Sequence, residues 1–181
     1  MHLRQQVAQP TDTSYRYIVL TQNQIAIVDA EDFEWLDQWA WSASLSRRTG
    51  KWYAVRAEKI GGKSVRVYMH RQVMHSRPGE YTDHKESTLD NRKSNLRKCT
   101  NSQNMAHVGK LRNNKSGYRG VSWDKERHLW RATIACNRKY ILLGRFGTAE
   151  AAARAYDVAA KRLFGEFAFS NRPDLRSEEQ S

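Results

Sequence analysis

The residues that could do chemistry crowd into one stretch. From Met69 to Gly109 the chain reads MHRQVMHSRPGEYTDHKESTLDNRKSNLRKCTNSQNMAHVG, a density of Asp, His and Asn that a solvated loop does not require. A neutral imidazole with an ordinary pKa near 6.5 can take a proton from water at about pH 7. Carboxylate and amide oxygens are the ligands a hard divalent cation prefers. Asp83 and His84 are adjacent, so an undistorted strand would point them to opposite faces, and a bend is needed for both to reach one site. The bland alternatives are a surface turn for the Asp-His pair and turn or cap chemistry for the asparagines.

Positioning these groups falls to the elements around them. YTDH reads as a short strand and LRKCT as its return, followed by a helix NSQNMAHVG capped by Thr100 or Asn101. Upstream, YRYIVLT and QIAIVDA read as two strands meeting at Gln22-Asn23. Asp29 caps a helix through DAEDFEWLDQWA, and WSASLS, KWYAVRAEKI and KSVRVYMH make a meander turning at Gly50 and at Gly61-Gly62. Trp35, Trp39, Trp41 and Trp52 are expected in the core rather than as a base-stacking platform. Downstream, YRGVSWD, LWRATIAC and KYILLGRF suit an antiparallel meander. Thr148 then caps TAEAAARAYDVAAKRLFG, whose expected apolar stripe is Ala151, Ala152, Ala155, Ala159 and Leu163.

The order MHR, TDH, LDNRKSNLR, TNSQN resembles the HNH nucleases of phage and intron homing endonucleases, whose core is a β-hairpin and helix around one divalent metal, the ββα-metal fold. The resemblance implies Asp83 and Asn104 as metal ligands, His84 as general base and Asn95 as the residue holding the His84 ring, with one Mg²⁺ or Mn²⁺ per active site. His70, in MHR, is expected to be structural or phosphate-contacting rather than catalytic, and His107 to be exposed without a role. The chain departs from the family in the turn after the His, Lys85-Glu86-Ser87-Thr88, which lacks Gly and is a residue shorter than the family's.

YRGVSWD, LLGRF and AARAYDVAAKRLFGEFAFSN resemble the plant ethylene-response-factor (apetala-two) DNA-binding domain, three strands and a packed helix that reads the major groove with its exposed sheet face. Alternation places Trp130, Ala132, Ile134, Ile141 and Leu143 inward and Arg131, Thr133, Ala135, Tyr140 and Leu142 outward. Arg119 is the first choice for a base or phosphate contact, since Arg bonds guanine bidentately. Arg127, Arg131, Thr133, Arg138 and Tyr140, with Lys110, Arg112 and Lys115 of the connecting segment, complete the expected DNA contacts. Ser122, Ala135 and Tyr140 stand where the plant domain has Arg, so the plant target sequence does not transfer. Trp123 and Trp130 are expected as core aromatics.

Composition sets the outer bounds. The chain has 181 residues, 31 Lys+Arg against 19 Asp+Glu and a net charge of +12, so an anionic partner is implied, nucleic acid before a membrane surface. Residues 70–116 carry 10 basic and 4 acidic residues and are the most cationic for their length, whereas residues 1–69 are nearly neutral. No apolar run reaches membrane-spanning length, and the start lacks a secretory signal, which points to an intracellular, host bacterial cytoplasmic protein. Cys99 and Cys136 form no CxxC pair and are expected as reduced thiols.

The expected organisation is α+β: a tail over 1–14, an HNH nuclease core preceded by a small α+β region over 15–109, a basic linker over 110–116, a three-stranded antiparallel sheet packed on one helix over 117–171, and a tail over 172–181. The expected function is hydrolysis of a phosphodiester in double-stranded DNA by a monomer rather than a dimer, with no small-molecule substrate. Two rivals stand beside it, a non-catalytic DNA-binding regulator retaining the HNH fold and an RNA-directed protein.

Overall fold

The computed structural model describes residues 7–109 and 114–171, and the chain divides into two units between Cys99 and Thr100. In the first unit, the β-branched runs YRYIV and IAIVD form β1 (Tyr15–Val19) and β2 (Ile25–Asp29), an antiparallel pair. Their connection carries positive φ at Gln22 and Asn23, as the turn reading requires. The segment expected as a tail is tied down from residue 9 onward: the Gln9 side chain accepts from Tyr17 N at 2.9 Å and donates to Tyr17 O at 3.1 Å, acting as a one-residue strand.

α1 (Ala30–Asp37) starts after Asp29, but the Asp29 carboxylate accepts from Lys93 N at 2.7 Å instead of capping its own helix. A second sheet of β3 (Ser42–Leu45), β4 (Trp52–Ile60) and β5 (Lys63–Tyr68), in that order, runs into the short helix α2 (Met69–Val73). β6 (Tyr81–His84) and β7 (Leu96–Cys99) form the expected hairpin, with Asp83 opposite Arg97 and His84 opposite Leu96.

Leu36, Met69, Val28 and Val73 are the largest fully buried apolar side chains of this unit, each stabilising by about 1.5–3 kcal/mol through removal from water. Trp41 is buried with them, and Trp35, Trp39 and Trp52 pack half-buried against the cluster, so the tryptophans are core residues as expected.

The second unit begins with α3 (Asn101–His107). Its start is fixed by a capping box in which Thr100 Oγ1 accepts from Gln103 N and the Gln103 side chain accepts from Thr100 N. The sequence reading placed this helix with the first domain; here it belongs to the second unit. Arg119 explains the difference, because its guanidinium donates at 2.6 Å to both the Ala106 and Met105 carbonyls at the C-terminal end of the helix.

β8 (Val121–Asp124), β9 (Leu129–Cys136) and β10 (Lys139–Phe146) form an antiparallel sheet in the order β10-β9-β8, with a register shift between Leu142 and Gly144. α4 (Ala149–Phe164) packs on it, its first turn held by Thr148 Oγ1 accepting from Ala151 N. The buried ridge is Ala152, Ala153, Tyr156, Ala160 and Phe164. The expected stripe was rotated about one residue away from this: Ala155 and Ala159 are half-buried and Leu163 is exposed, because the large rings of Tyr156 and Phe164, not the alanines alone, choose the face. Buried Asp157 closes the unit by accepting from Asn171 N and Nδ2, while Asn171 Oδ1 accepts from Arg119 N.

Gly120 marks the tightest approach in this unit. It has φ of +73°, and a Cβ there would overlap the Tyr156 ring and lie 2.7 Å from the Thr133 carbonyl. Gly120→Ala should therefore lose about 3 kcal/mol from overpacking and left-handed strain, read as a lower urea midpoint; an unchanged midpoint would show that Tyr156 can move aside at no cost.

Candidate functional site

Asp83 and His84 end β6, and the chain then makes an eleven-residue connection, 85–95, before β7. A buried Asn95 side chain closes it. Its Oδ1 accepts from Glu86 N at 3.1 Å, and its Nδ2 donates to Ser87 O at 2.9 Å and Asp90 O at 2.7 Å. No residue between 85 and 95 takes a positive φ, so this connection has no need of the Gly that the family's turn contains.

The connection is also docked on its own unit. Ile27 N donates to Leu89 O, Asn91 N donates to Ile27 O, and Thr88 Oγ1 donates to Trp52 O. Lys93 Nζ meets Glu31 at 2.6 Å, and the Asp90 carboxylate accepts from Arg92 at 2.6 and 2.9 Å.

The ring of His84 is therefore steadied by a different residue from the one expected. Asn91, only 1% exposed, places its Oδ1 3.3 Å from His84 Nε2, while Asn95 acts on the loop backbone. Asn91 Nδ2 donates to Leu89 O at 3.0 Å, which fixes the amide with its oxygen toward the ring. His84 Nε2 must then carry the proton, leaving Nδ1 as the acceptor. The sequence did contain a signal for this, the first Asn in LDNRKSN, but spacing alone could not rank it against Asn95.

His84 is 4% exposed, and burial pushes its imidazole down to about 4 from the ordinary 6.5, with the Asn91 bond and the Asp83 charge opposing only part of the effect. His70 packs against it with ring centroids 4.7 Å apart and is lowered too, first by burial and then by the His84 and Arg71 charges. Tyr53 and Tyr68 complete the cluster, with Tyr53 6.2 Å from both histidine rings and Tyr68 5.5 Å from His70. Burial thus holds both imidazoles toward the neutral form.

Asp83 is buried and paired with Arg97, whose Nη2 and Nε donate to Oδ2 at 2.9 and 3.1 Å. Cys99, across the hairpin from Tyr81, is pushed up to about 11 by burial and then by the Asp83 charge, so it stays a thiol. Asn104 lies on α3 in the second unit. Among the described residues no group of three or more His, Cys, Asp or Glu is arranged to hold a metal.

In the second unit, Arg131 and Ala135 are exposed on β9 and Thr133 is half-buried. On β10, Tyr140 is 84% and Leu142 50% exposed, as alternation requires. Ile141, expected inward, is exposed on the edge strand β10, although Ile134 opposite it is buried. Trp123, expected in the core, is 44% exposed at the sheet edge and stacks edgewise on Trp130 at 5.2 Å. Arg127 lies near Asp124 and Glu126, and Arg138 and Lys115 are exposed. Arg119, the first choice for a DNA contact, instead has its guanidinium bound to the α3 carbonyls. Lys110 and Arg112 lie outside the described residues.

Residues 116–166 match the AP2 domain. The chain is similar over 65 residues, 49% identical, to the dehydration-responsive element-binding protein 2E of Oryza sativa subsp. japonica, covering 33% of this chain and 19% of that protein. It is 31% identical over 118 residues to the AP2-like ethylene-responsive transcription factor ANT of Arabidopsis thaliana, covering 60% and 21%. It is 34% identical over 96 residues to an uncharacterized HNH endonuclease of Acanthamoeba polyphaga mimivirus, covering 52% and 49%. The chain spans less than half the length of each of these relatives.

Two stability measurements check the site. Removing the Asn95 amide leaves three backbone groups without it, so Asn95→Ala should lose about 3 kcal/mol in urea unfolding; a loss below about 1 would mean that water replaces all three bonds. For pH, a histidine whose folded pKa is depressed contributes stability that is complete above about 6.5 and lost as pH falls toward the folded value near 4. Between pH 7 and pH 5 the wild type should lose about 2 kcal/mol through His84, and His84→Gln should flatten the pH dependence by that amount. Parallel pH dependences would show that His84 is not buried neutral.

Proposed function

We propose that this chain is a metal-dependent DNA endonuclease of HNH, homing-like type, in which the first unit cuts one strand and the AP2 unit holds the duplex. The observation that carries the reading is His84: a buried imidazole whose Nε2 lies against Asn91 Oδ1, which leaves Nδ1 as the acceptor, next in sequence to the carboxylate of Asp83. Such a group accepts the proton of an attacking water without first having to lose one of its own.

Asn91 fixes the tautomer, Asn95 fixes the loop that carries Asn91, and the Tyr53–His70 packing keeps bulk water from one side of the ring. Asp83 would hold one Mg²⁺ or Mn²⁺. A carboxylate oxygen fits a hard cation, and so sparse a donor set leaves positions for water and phosphate. When bound, the ion would offset charge on the phosphate and on the leaving 3′ oxygen.

The similarity to a protein named as an HNH endonuclease and the AP2 match support duplex DNA as the substrate. The exposed face built from Arg131, Thr133 and Tyr140, with Arg127, Arg138 and Lys115 at its margins, is the proposed contact surface. A single such site cuts a single strand, so a monomer is expected to nick.

One observation favours a second reading, a DNA-binding regulator that does not cut: Arg97 already balances the Asp83 carboxylate that a metal would need. The deciding experiment is plasmid cleavage with Mg²⁺ or Mn²⁺ against a chelator control. The wild type should convert supercoiled to nicked circles, and His84→Ala should be slower by about 10²–10⁴-fold while binding DNA equally. Equal binding with no nicking by either protein under any metal would establish the regulator instead.

A further inference from the structure

The first unit carries a surface that neither the candidate site nor the AP2 match accounts for. β3 pairs only with Trp52–Val55, while β4 and β5 stay paired out to Ile60 and Lys63. The outer parts of β4 and β5, residues 56–60 and 63–67, therefore form a two-stranded ribbon, with every residue from 59 to 66 exposed. Its turn, Gly61-Gly62, has φ of +56° and +78°, and a Cβ on either glycine would meet nothing, so the tip stands in solvent.

The two faces of the ribbon differ. Counting by twos from Tyr53, the residues Val55, Ala57 and Lys59 share a face, and their cross-strand partners Tyr68, Arg66 and Ser64 share it too. On the ribbon this face offers two cations, Lys59 and Arg66, separated only by the small side chains of Ala57 and Ser64. The ribbon's one acidic residue, Glu58, is on the opposite face and paired with Arg56 at 2.9 Å. At the base of the sheet the same basic face presents Tyr53 and Tyr68, the rings that pack on His70 and His84. Lys51, before the strand and of the same parity, is near enough for its charge to act on His84. The exposed cations Lys59 and Arg66 thus share a strand face with the tyrosines that pack on the histidine pair.

We propose that this face is a track for duplex DNA, with the ribbon in the major groove and Lys59 and Arg66 on backbone phosphates beyond the histidine pair. The assignment rests on the DNA-cutting reading for what lies at His84. The groove admits a two-stranded ribbon, and the small residues between the two cations let the backbone come close. Lys59 lies six residue steps along β4 from Tyr53, about 20 Å, which is about six base pairs of duplex.

The test uses the full chain in chelator, where nothing is cut, and measures affinity for a 30-base-pair duplex by fluorescence anisotropy from about 50 to 200 mM salt. Replacing both side chains, Lys59→Ala with Arg66→Ala, should lower the slope of log affinity against log salt by about 2 and weaken binding about thirtyfold at 150 mM. Lys63→Ala, on the opposite face, should match the wild type. Both positions are exposed, so thermal melts should coincide; if the double variant melts lower, Lys59→Gln with Arg66→Gln repeats the measurement. An unchanged slope overturns the proposal. So does an equal loss in Lys63→Ala, or a loss seen with single-stranded RNA and not with the duplex. Because no cutting is involved, a chain that needs the ribbon to bind but never nicks plasmid removes only the nuclease reading. A chain that nicks with an unchanged slope removes only this one.

Discussion

The candidate site depends on one side-chain amide. Asn95 satisfies three backbone groups of the segment that leaves His84, and it does so from a buried position where each unmade bond would cost about 1–3 kcal/mol. A connection of this length without Gly or Pro has no intrinsic reason to adopt one shape. The amide supplies that reason, and the bonds from β2 to Leu89 and Asn91 then fix where the shaped loop sits. Only with the loop fixed does Asn91 stand opposite His84 Nε2. The protonation pattern of the imidazole is thus set two steps away from the ring, by Asn95 through the backbone and by Asn91 through its own amide.

Much of this was legible in the sequence, and the misses share a cause. Period-two runs located the strands, Asn23 and the glycine pair at 61-62 located turns, and Thr100 and Thr148 located helix starts, because each rests on local backbone chemistry. Asn91 against Asn95 was not legible, since both are Asn in one irregular segment and only the tertiary path decides which faces the ring. The membership of α3 was not legible either: its chain position continues the first unit, and what ties it to the second is Arg119, a contact between distant parts of the sequence. The α4 ridge was misplaced because counting alanines ignored Tyr156 and Phe164, whose large buried areas outweigh a methyl group.

Charge read along the chain misleads for the same reason. Residues 70–116 are the most cationic stretch, yet Arg97 is paired with buried Asp83, Arg92 with Asp90, Lys93 with Glu31, and Arg71 and Lys85 with backbone carbonyls. Those cations hold the 85–95 loop and the hairpin together, and a cation engaged at 2.6–2.9 Å by an internal partner must give up that bond before it can neutralise a phosphate. The nearly neutral first 69 residues, by contrast, place Lys59 and Arg66 on an exposed face with no acid beside them. A high local count of Lys and Arg therefore marks where this fold needs internal ion pairs, and binding capacity follows instead from which cations the strand register leaves in water. Cations paired with carboxylates inside the fold cancel out of the +12, so the net charge is carried by the cations that such pairs do not consume.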